Sequence, residues 1–541
     1  MIDCGMLPDF RDSNDWNPSI AQAMSGKTTD RPYTEQAKTS ERRISFLERR
    51  ERTVILFLCA LAALRVFIFS AAFPVFTNVD EQLHFDTVCK YAHLEIPRGV
   101  GVFHPEAKVL TIIYGSCEYS ALPPNRTPPQ PLWTLPREDA LKRLRVGLAV
   151  YEGIVNTEAA QPPVYYALAG IWYDLGKLLG FRGGVLLHWL RALDAPVYAL
   201  LVWLSYVYAR RFFPSSPLMN LGVPLMVALF PQDVFYSMNN DVLSPLMFGT
   251  ALYCLLVICV ERAKGHGFYA LAGLLTAAAF LVKFSNVAIL VALVAVVCVR
   301  LSKTRRSGAL KAEAARTGLL ALAAAVPLAA WLVRSQLVFG DITGSAAKVA
   351  KLGWTLKPLG RVFDHPIFTP AGVATFWNEF AAKFWRGEIV WGGRPLGYAG
   401  TDLLYAVTSA LFVAASVAAL FVYRRKLCEA ERASLGLSAV VFGVSLLFML
   451  VVSMAYDFGG CLSPSRQHPF LTHGRLISGT LIPFMLLYVN GLDVLLGKGK
   501  RRRVGLGILI AVVCIVTASE IVLSMAAFRS PYNFYHMIFR S

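Results

Sequence analysis

RRISFLERRERTVILFLCALAALRVFIFSAAFPVFTNVDEQLHFD, residues 42–86, carries the decisive pattern. Arg42, Arg43, Arg49, Arg50 and Arg52 come first, an apolar run at about 53–73 follows, and Asp80-Glu81 comes directly after it. A membrane-spanning helix needs about 20 apolar residues. Basic residues at one end of such a run mark the cytoplasmic side. The run therefore reads as a first span with its amino terminus inside, opening outward onto a pair of acids.

The same reading extends along the chain. Further apolar runs lie at about 186–208, 217–236, 242–260, 268–283, 285–301, 317–335, 402–422, 434–455, 476–496 and 504–524. Every second connection is basic: Arg210/Arg211, Arg262/Lys264, Lys303/Arg305/Arg306/Lys311, Arg424/Arg425/Lys426 and Lys498/Lys500/Arg501/Arg502/Arg503. A wrong helix count would scramble that alternation. The expected fold is an all-α polytopic membrane protein of about 11 transmembrane helices. Its amino terminus is cytoplasmic and its carboxyl terminus outside.

Composition agrees. Of 541 residues, 55% are hydrophobic and 16% charged, against about 25% charged in a soluble protein. The formal charge of +18 sits in short clusters between apolar runs, which is a topology signal and not a nucleic-acid groove; no nucleic-acid partner is expected. The ten cysteines form no CxxC pair. Cys89, Cys117 and Cys461 fall in outer loops, where a disulfide is one reading.

Residues 1–50 read as a polar, disordered cytoplasmic head, 51–524 as the transmembrane domain and 525–541 as an outer tail. Two long polar stretches, 74–185 and 336–400, are expected outside. Residues 162–180, PPVYYALAGIWYDLGKLLG, have a helical pattern, but a span there would invert every later loop. They read as a helix lying along the outer surface. Asn125-Arg126-Thr127 is a glycosylation sequon, a poor one because prolines follow.

With sidedness assigned, the outer face collects polar residues. Asp80 and His84 share a helix face at i,i+4, although acids at a helix start also serve as caps. Glu158 and Gln161 precede Pro162-Pro163, itself a good helix start. Asn239-Asn240-Asp241 puts three hydrogen-bonding side chains where capping needs one. Lys283, between two apolar runs, and Arg475, entering another, stand on the face where basic residues are scarce; snorkelling to the headgroups is the plain alternative for Lys283. His473 lies beside Arg475. Acids and bases near a membrane surface suit a lipid-phosphate substrate. Lys283 and Arg475 would hold its phosphate, and Asp80 would take a proton from an acceptor hydroxyl.

The arrangement resembles the GT-C superfamily of integral-membrane glycosyltransferases, on the branch of protein O-mannosyltransferases and the aminoarabinose transferases of lipid A. Asp80-Glu81 matches the acidic motif after the first helix, and His84-Phe85 resembles its mannosyltransferase form. Gln161-Pro162-Pro163-Val164-Tyr165-Tyr166 resembles a His-Pro-Pro-Leu-type segment with Gln in place of His. Asn240-Asp241 matches a second acidic position, Val282-Lys283-Phe284 a Thr-Lys-aromatic element, and Gly474-Arg475-Leu476 a Gly-Arg-Tyr element. The chain is most similar to a bacterial branch of predicted membrane proteins with a Phe-Trp outer loop, here Thr375-Phe376-Trp377-Asn378-Glu379-Phe380.

The resemblance implies a GT-C-like fold whose long first outer loop contains interfacial helices. It implies a polyprenyl-phosphate-linked sugar as donor, inversion at the anomeric carbon, and an acceptor glycan, lipid or protein, in a bacterial inner membrane. Asp80, Glu81 and Asp241 would be catalytic, and His84, Glu158, Gln161, Asn240, Lys283, His473 and Arg475 would bind substrate. Some GT-C members use a divalent metal ion; here Asp80 and Glu81 would hold it. The rival reading is a transporter or flippase of lipid-linked sugars, which would place its polar residues at mid-membrane. A third is a non-enzymatic assembly factor, which would not need Asp80.

Overall fold

The computed structural model describes residues 32–76, 80–120, 128–261, 265–305, 310–461, 463–497 and 501–540. Residues 1–31 of the polar head, Asn78-Val79, the 125–127 sequon, and the basic positions Arg262, Lys264, Arg306, Lys498 and Lys500 lie outside them. The chain divides into two units, residues 1–54 and 55–541. From Pro32 the first unit is helical, not irregular.

The helix α1 (Pro32–Ala72) holds the first apolar run. Four helices of the long polar segment follow: α2 (Glu81–Ala92), α3 (Pro105–Tyr114), α4 (Arg137–Tyr151) and α5 (Pro163–Leu178). Then come α6 (Gly183–Ala192), α7 (Asp194–Phe212), α8 (Pro217–Ala228), α9 (Ser244–Val260), α10 (His266–Val282), α11 (Ala288–Arg305) and α12 (Leu310–Phe339). The second polar segment carries α13 (Ala346–Lys351), α14 (Leu359–Val362) and α15 (Pro370–Arg386). Last are α16 (Ala399–Val422), α17 (Glu429–Ala455), α18 (Leu481–Leu495), α19 (Arg502–Arg529) and α20 (Phe534–Arg540). Among the described residues, 8 helical segments are long and apolar enough to cross a membrane. Three shorter apolar helices, α8, α9 and α10, occupy the other expected spans. The molecule is an all-α polytopic membrane protein.

Small residues let the helices approach closely, as lipid-embedded packing requires. A Cβ on Gly491 of α18 would lie 1.7 Å from the Phe412 carbonyl oxygen of α16. One on Gly273 of α10 would lie 2.3 Å from that of Leu320 in α12. At both crossings only glycine fits.

Two expectations change. The run 217–236 is not one helix: α8 stops at Ala228, and a separate 3-10 turn covers Asp233–Tyr236. Phe230 precedes a proline, which disfavours helix, and Arg65 of α1 takes the freed carbonyls of Ala228 and Phe230 at 3.3 and 2.9 Å. The run 476–496 begins as a 3-10 segment, Gly474–Thr480, before α18. The stretch 162–180 forms α5, of 16 residues, packed on α2 and α6. Its Leu168, Ile171, Leu175 and Leu178 stay exposed in one stripe at helical spacing, the pattern of a surface-lying amphipathic helix.

The connections sort into two ends. Basic connections pair near one end of the bundle: Arg211 with Glu261, Arg300 with Glu313 at 2.7 Å, and Lys303 with Glu429. The alternate connections meet one another elsewhere. Strands Thr355–Leu356 and Tyr456–Asp457 pair antiparallel, the Gly392 amide donates to the Glu118 carbonyl at 2.7 Å, and the Tyr532 hydroxyl reaches the Pro129 carbonyl at 2.6 Å. This second end holds Asp80, Glu158, Asp241 and Glu388 and carries the candidate site.

Candidate functional site

Asp80 occupies the amino-terminal cap position of α2, yet its side chain makes no capping hydrogen bond. Its backbone is left-handed, φ 64° and ψ 12°, a conformation that is uncommon away from glycine and recurs at functional sites. The cap reading does not account for it. Instead the Asp80 carboxylate faces Arg475, with Oδ2 3.4 Å from Nη2.

Arg475 lies near the start of the 3-10 turn leading into α18 and is the hub. Its Nη1 lies 3.4 Å from Asp241 Oδ2, and its Nε 3.5 Å from Glu388 Oε2. The Nε makes no hydrogen bond although it is buried, and an unsatisfied buried donor is costly. Lys283, where α10 breaks into extended backbone, pairs with the other oxygen of Asp241. The two cations on the acid-rich end are therefore brought together by one fully buried carboxylate.

A chain of amides continues the site. Asn240 Nδ2 donates to the Val282 carbonyl at 3.0 Å and to Gln161 Oε1 at 3.3 Å. Gln161 Nε2 donates to Glu158 at 2.5 Å, and Glu158 pairs with Lys348 of α13. Burial would raise the Glu158 carboxyl, but Lys348 and His84 outweigh it and hold it at about 2. His84 packs its ring beside Tyr166, whose hydroxyl is 2.7 Å from Nδ1. Burial lowers the His84 pKa against the pull of Glu158, Asp80 and Asp241. His473 Nδ1 lies 2.5 Å from Glu388 Oε1. Burial would raise Glu388, but His473 and Arg475 bring it down to about 2.

Glu81 is the exception among the expected residues. It points away from Asp80, into the protein. Both its oxygens face Arg191, at 2.8 and 2.7 Å, and they also accept from the Phe76 and Met238 amides at 2.7 and 2.9 Å. Arg191 spends its remaining donors on the carbonyls of Ser70, Phe73 and Pro74. Together they knot the end of α1 to α2, α6 and the 229–243 connection, which fixes where Asp80 stands. A metal ion shared by Asp80 and Glu81 does not fit this arrangement. One between Asp80 and Asp241 does not fit either, because Arg475 already stands between them.

Sequence reasoning missed Glu388, Lys348 and Arg191's partnership. Glu388 belongs to no motif; its backbone amide donates to Asp233 Oδ2 at 3.0 Å, a contact across more than a hundred residues. Cys89, Cys117 and Cys461 are free thiols, not a disulfide.

A family model described as "Predicted membrane protein (DUF2142)" matches residues 64–461. No curated protein matches the chain in sequence. Among solved structures, the oligosaccharyltransferase of Archaeoglobus fulgidus in complex with Zn and sulfate is 12% identical, with a TM-score of 0.44 over 87% of this chain and 53% of that one. The same organism's AglB with an inhibitory peptide and a dolichol-phosphate is 11% identical, with a TM-score of 0.43 over 89% and 56%. This chain spans about half the length of those proteins. ArnT of Cupriavidus metallidurans bound to undecaprenyl phosphate is 13% identical, with a TM-score of 0.30 over 81% and 79%.

Proposed function

The chain belongs to the DUF2142 family of predicted membrane proteins, and we propose that it is an inverting glycosyltransferase using a polyprenyl-phosphate sugar donor. The observation that carries this is the junction of Asp80, Asp241, Lys283 and Arg475. A guanidinium whose Nε makes no hydrogen bond and meets Glu388 only at 3.5 Å, beside a buried ammonium, is suited to receive phosphate oxygens. The donor phosphate takes Arg475 and Lys283 and loosens the 3.4 Å contact with Asp80. Asp80 then accepts the proton of the acceptor hydroxyl. The acceptor oxygen bonds the anomeric carbon from the face opposite the phosphate, and the electron pair of the breaking C–O bond leaves on the phosphate. Lys283 and Arg475 stabilise that charge. Glu388 and Asp241 position Arg475; Glu158, Gln161 and Asn240 line the sugar's side with hydroxyl partners. The acceptor is a glycan, lipid or protein.

Alanine at Lys283 or Arg475 is expected to raise the Michaelis constant for donor by about tenfold or more, the scale of one charged hydrogen bond. Transfer assays on purified variants check this, and unchanged donor dependence in both removes the phosphate role.

We place the site on the outer face of a bacterial inner membrane, with the amino terminus inside and the carboxyl terminus outside, because the opposite end is the basic one. A cysteine at exposed Pro129, in a background with Cys117 and Cys461 replaced by serine, should react with an impermeant reagent in intact spheroplasts. Labelling only after lysis would invert the map.

A further inference from the structure

Away from the Arg475 junction, the turn between α2 and α3 brings together His93, His104 and Glu106. One ligand atom from each lies within 4.8 Å of the other two. The imidazole rings face each other at 4.4 Å between centroids, and His93 Nε2 lies 3.7 Å from Glu106 Oε2. We propose that these three side chains bind one divalent transition-metal ion of the Zn2+ class, clipping the end of α2 to the start of α3.

The surroundings are those of a ligand set. His93 Nδ1 lies 2.8 Å from the Cys89 carbonyl oxygen. A carbonyl only accepts, so Nδ1 carries the proton and Nε2 presents its lone pair toward Glu106, the arrangement by which outer partners orient metal-binding histidines. Glu106 is held by the Tyr173 hydroxyl at 2.9 Å and by Lys177 at 3.0 Å. In the absence of metal Lys177 balances the carboxylate, and the ion takes over that role. His104 caps α3 by accepting the Glu106 amide on Nδ1 at 3.3 Å. Ligation through Nε2 turns its proton to Nδ1 and releases that long contact. A cap explains His104 alone; it does not explain a second imidazole beside it that faces the Glu106 carboxylate. Bonds of about 2.0–2.2 Å to nitrogen and oxygen put tetrahedral ligand atoms roughly 3.3–3.6 Å apart, a spacing that His93 and Glu106 nearly have at 3.7 Å and that side-chain rotation must supply for the rest of the set. Two imidazoles and a carboxylate suit Zn2+ better than Mg2+ or Ca2+, which prefer oxygen. A fourth position remains for water.

The clip has a mechanical consequence. Residues 94–102 of the loop it closes form one wall of a groove of about 830 Å3 that also meets Lys90 and Arg334. Binding would fix that wall against α12.

The full chain, purified in detergent and stripped with a chelator, is titrated with ZnCl2 by calorimetry and with CoCl2 by visible absorption. His93→Gln and His104→Gln are run in parallel, each first shown to elute as a monodisperse protein with wild-type unfolding temperature in the metal-free state. The expected result is one equivalent of Zn2+ in wild type, at least about tenfold weaker in each variant, with visible cobalt bands that both variants lose. No saturable uptake by wild type, or equal uptake by wild type and both variants, overturns the site; the latter would place the metal elsewhere in the chain.

Discussion

Asp80→Asn is expected to insert and fold normally and to lose sugar transfer by at least about a hundredfold, the scale of removing a general base. The substitution is nearly isosteric, keeps the strained backbone tolerable, because asparagine also visits the left-handed region, and leaves the Arg191–Glu81 knot untouched. What it removes is the proposed proton acceptor. A direct displacement needs that acceptor at the membrane surface, because a sugar on a polyprenyl phosphate hangs just outside the lipid. On the proposed reading Asp80 stands there, just past the end of α1, with a left-handed backbone and its carboxylate toward Arg475. The measurement is transfer by purified protein with a polyprenyl-phosphate sugar, alongside size-exclusion and unfolding profiles. Full activity in Asp80→Asn would strip the residue of its role. Inactivity matched by misfolding would make it structural.

Arg191→Met is expected to be the most damaging substitution for folding. It would strand the Glu81 carboxylate, wholly buried with its partner, and unsatisfy three carbonyls at the end of α1. Breaking a buried pair from one side costs about 3–5 kcal/mol. Protein yield and unfolding temperature in detergent should both fall. The double variant Arg191→Met/Glu81→Gln should recover part of the loss, because the uncompensated charge is gone. A wild-type unfolding temperature in Arg191→Met would contradict the structural assignment of Glu81.

The alternation of basic connections made the helices legible. The apolar runs picked out α8, α9 and α10 as well, although these fall short of a full span by length, and the alternating loop charges kept them in the list. Position relative to the membrane then gathered Asp80, Asp241, Lys283 and Arg475, and the structure draws these four to one junction. Adjacent residues misled where a strand or helix turns: Asp80 and Glu81 are neighbours in sequence, yet one faces Arg475 and the other Arg191. Nothing local to Glu81 announces a partner 110 residues away. Glu388 and Lys348 were invisible for the same reason. Each sits in a long polar loop without periodicity, and its relevance comes only from where tertiary packing of that loop brings it.

The proposed function requires that a lipid phosphate be received at Arg475 and Lys283. The most direct test is an experimental structure of the protein with bound polyprenyl phosphate. Phosphate oxygens are expected within hydrogen-bond distance of the Arg475 guanidinium and Lys283 Nζ, with Asp80 freed from the guanidinium. Phosphate bound at mid-membrane or at the basic end, with the Asp80–Arg475–Asp241 junction intact, would contradict it and favour a carrier of lipid-linked sugars.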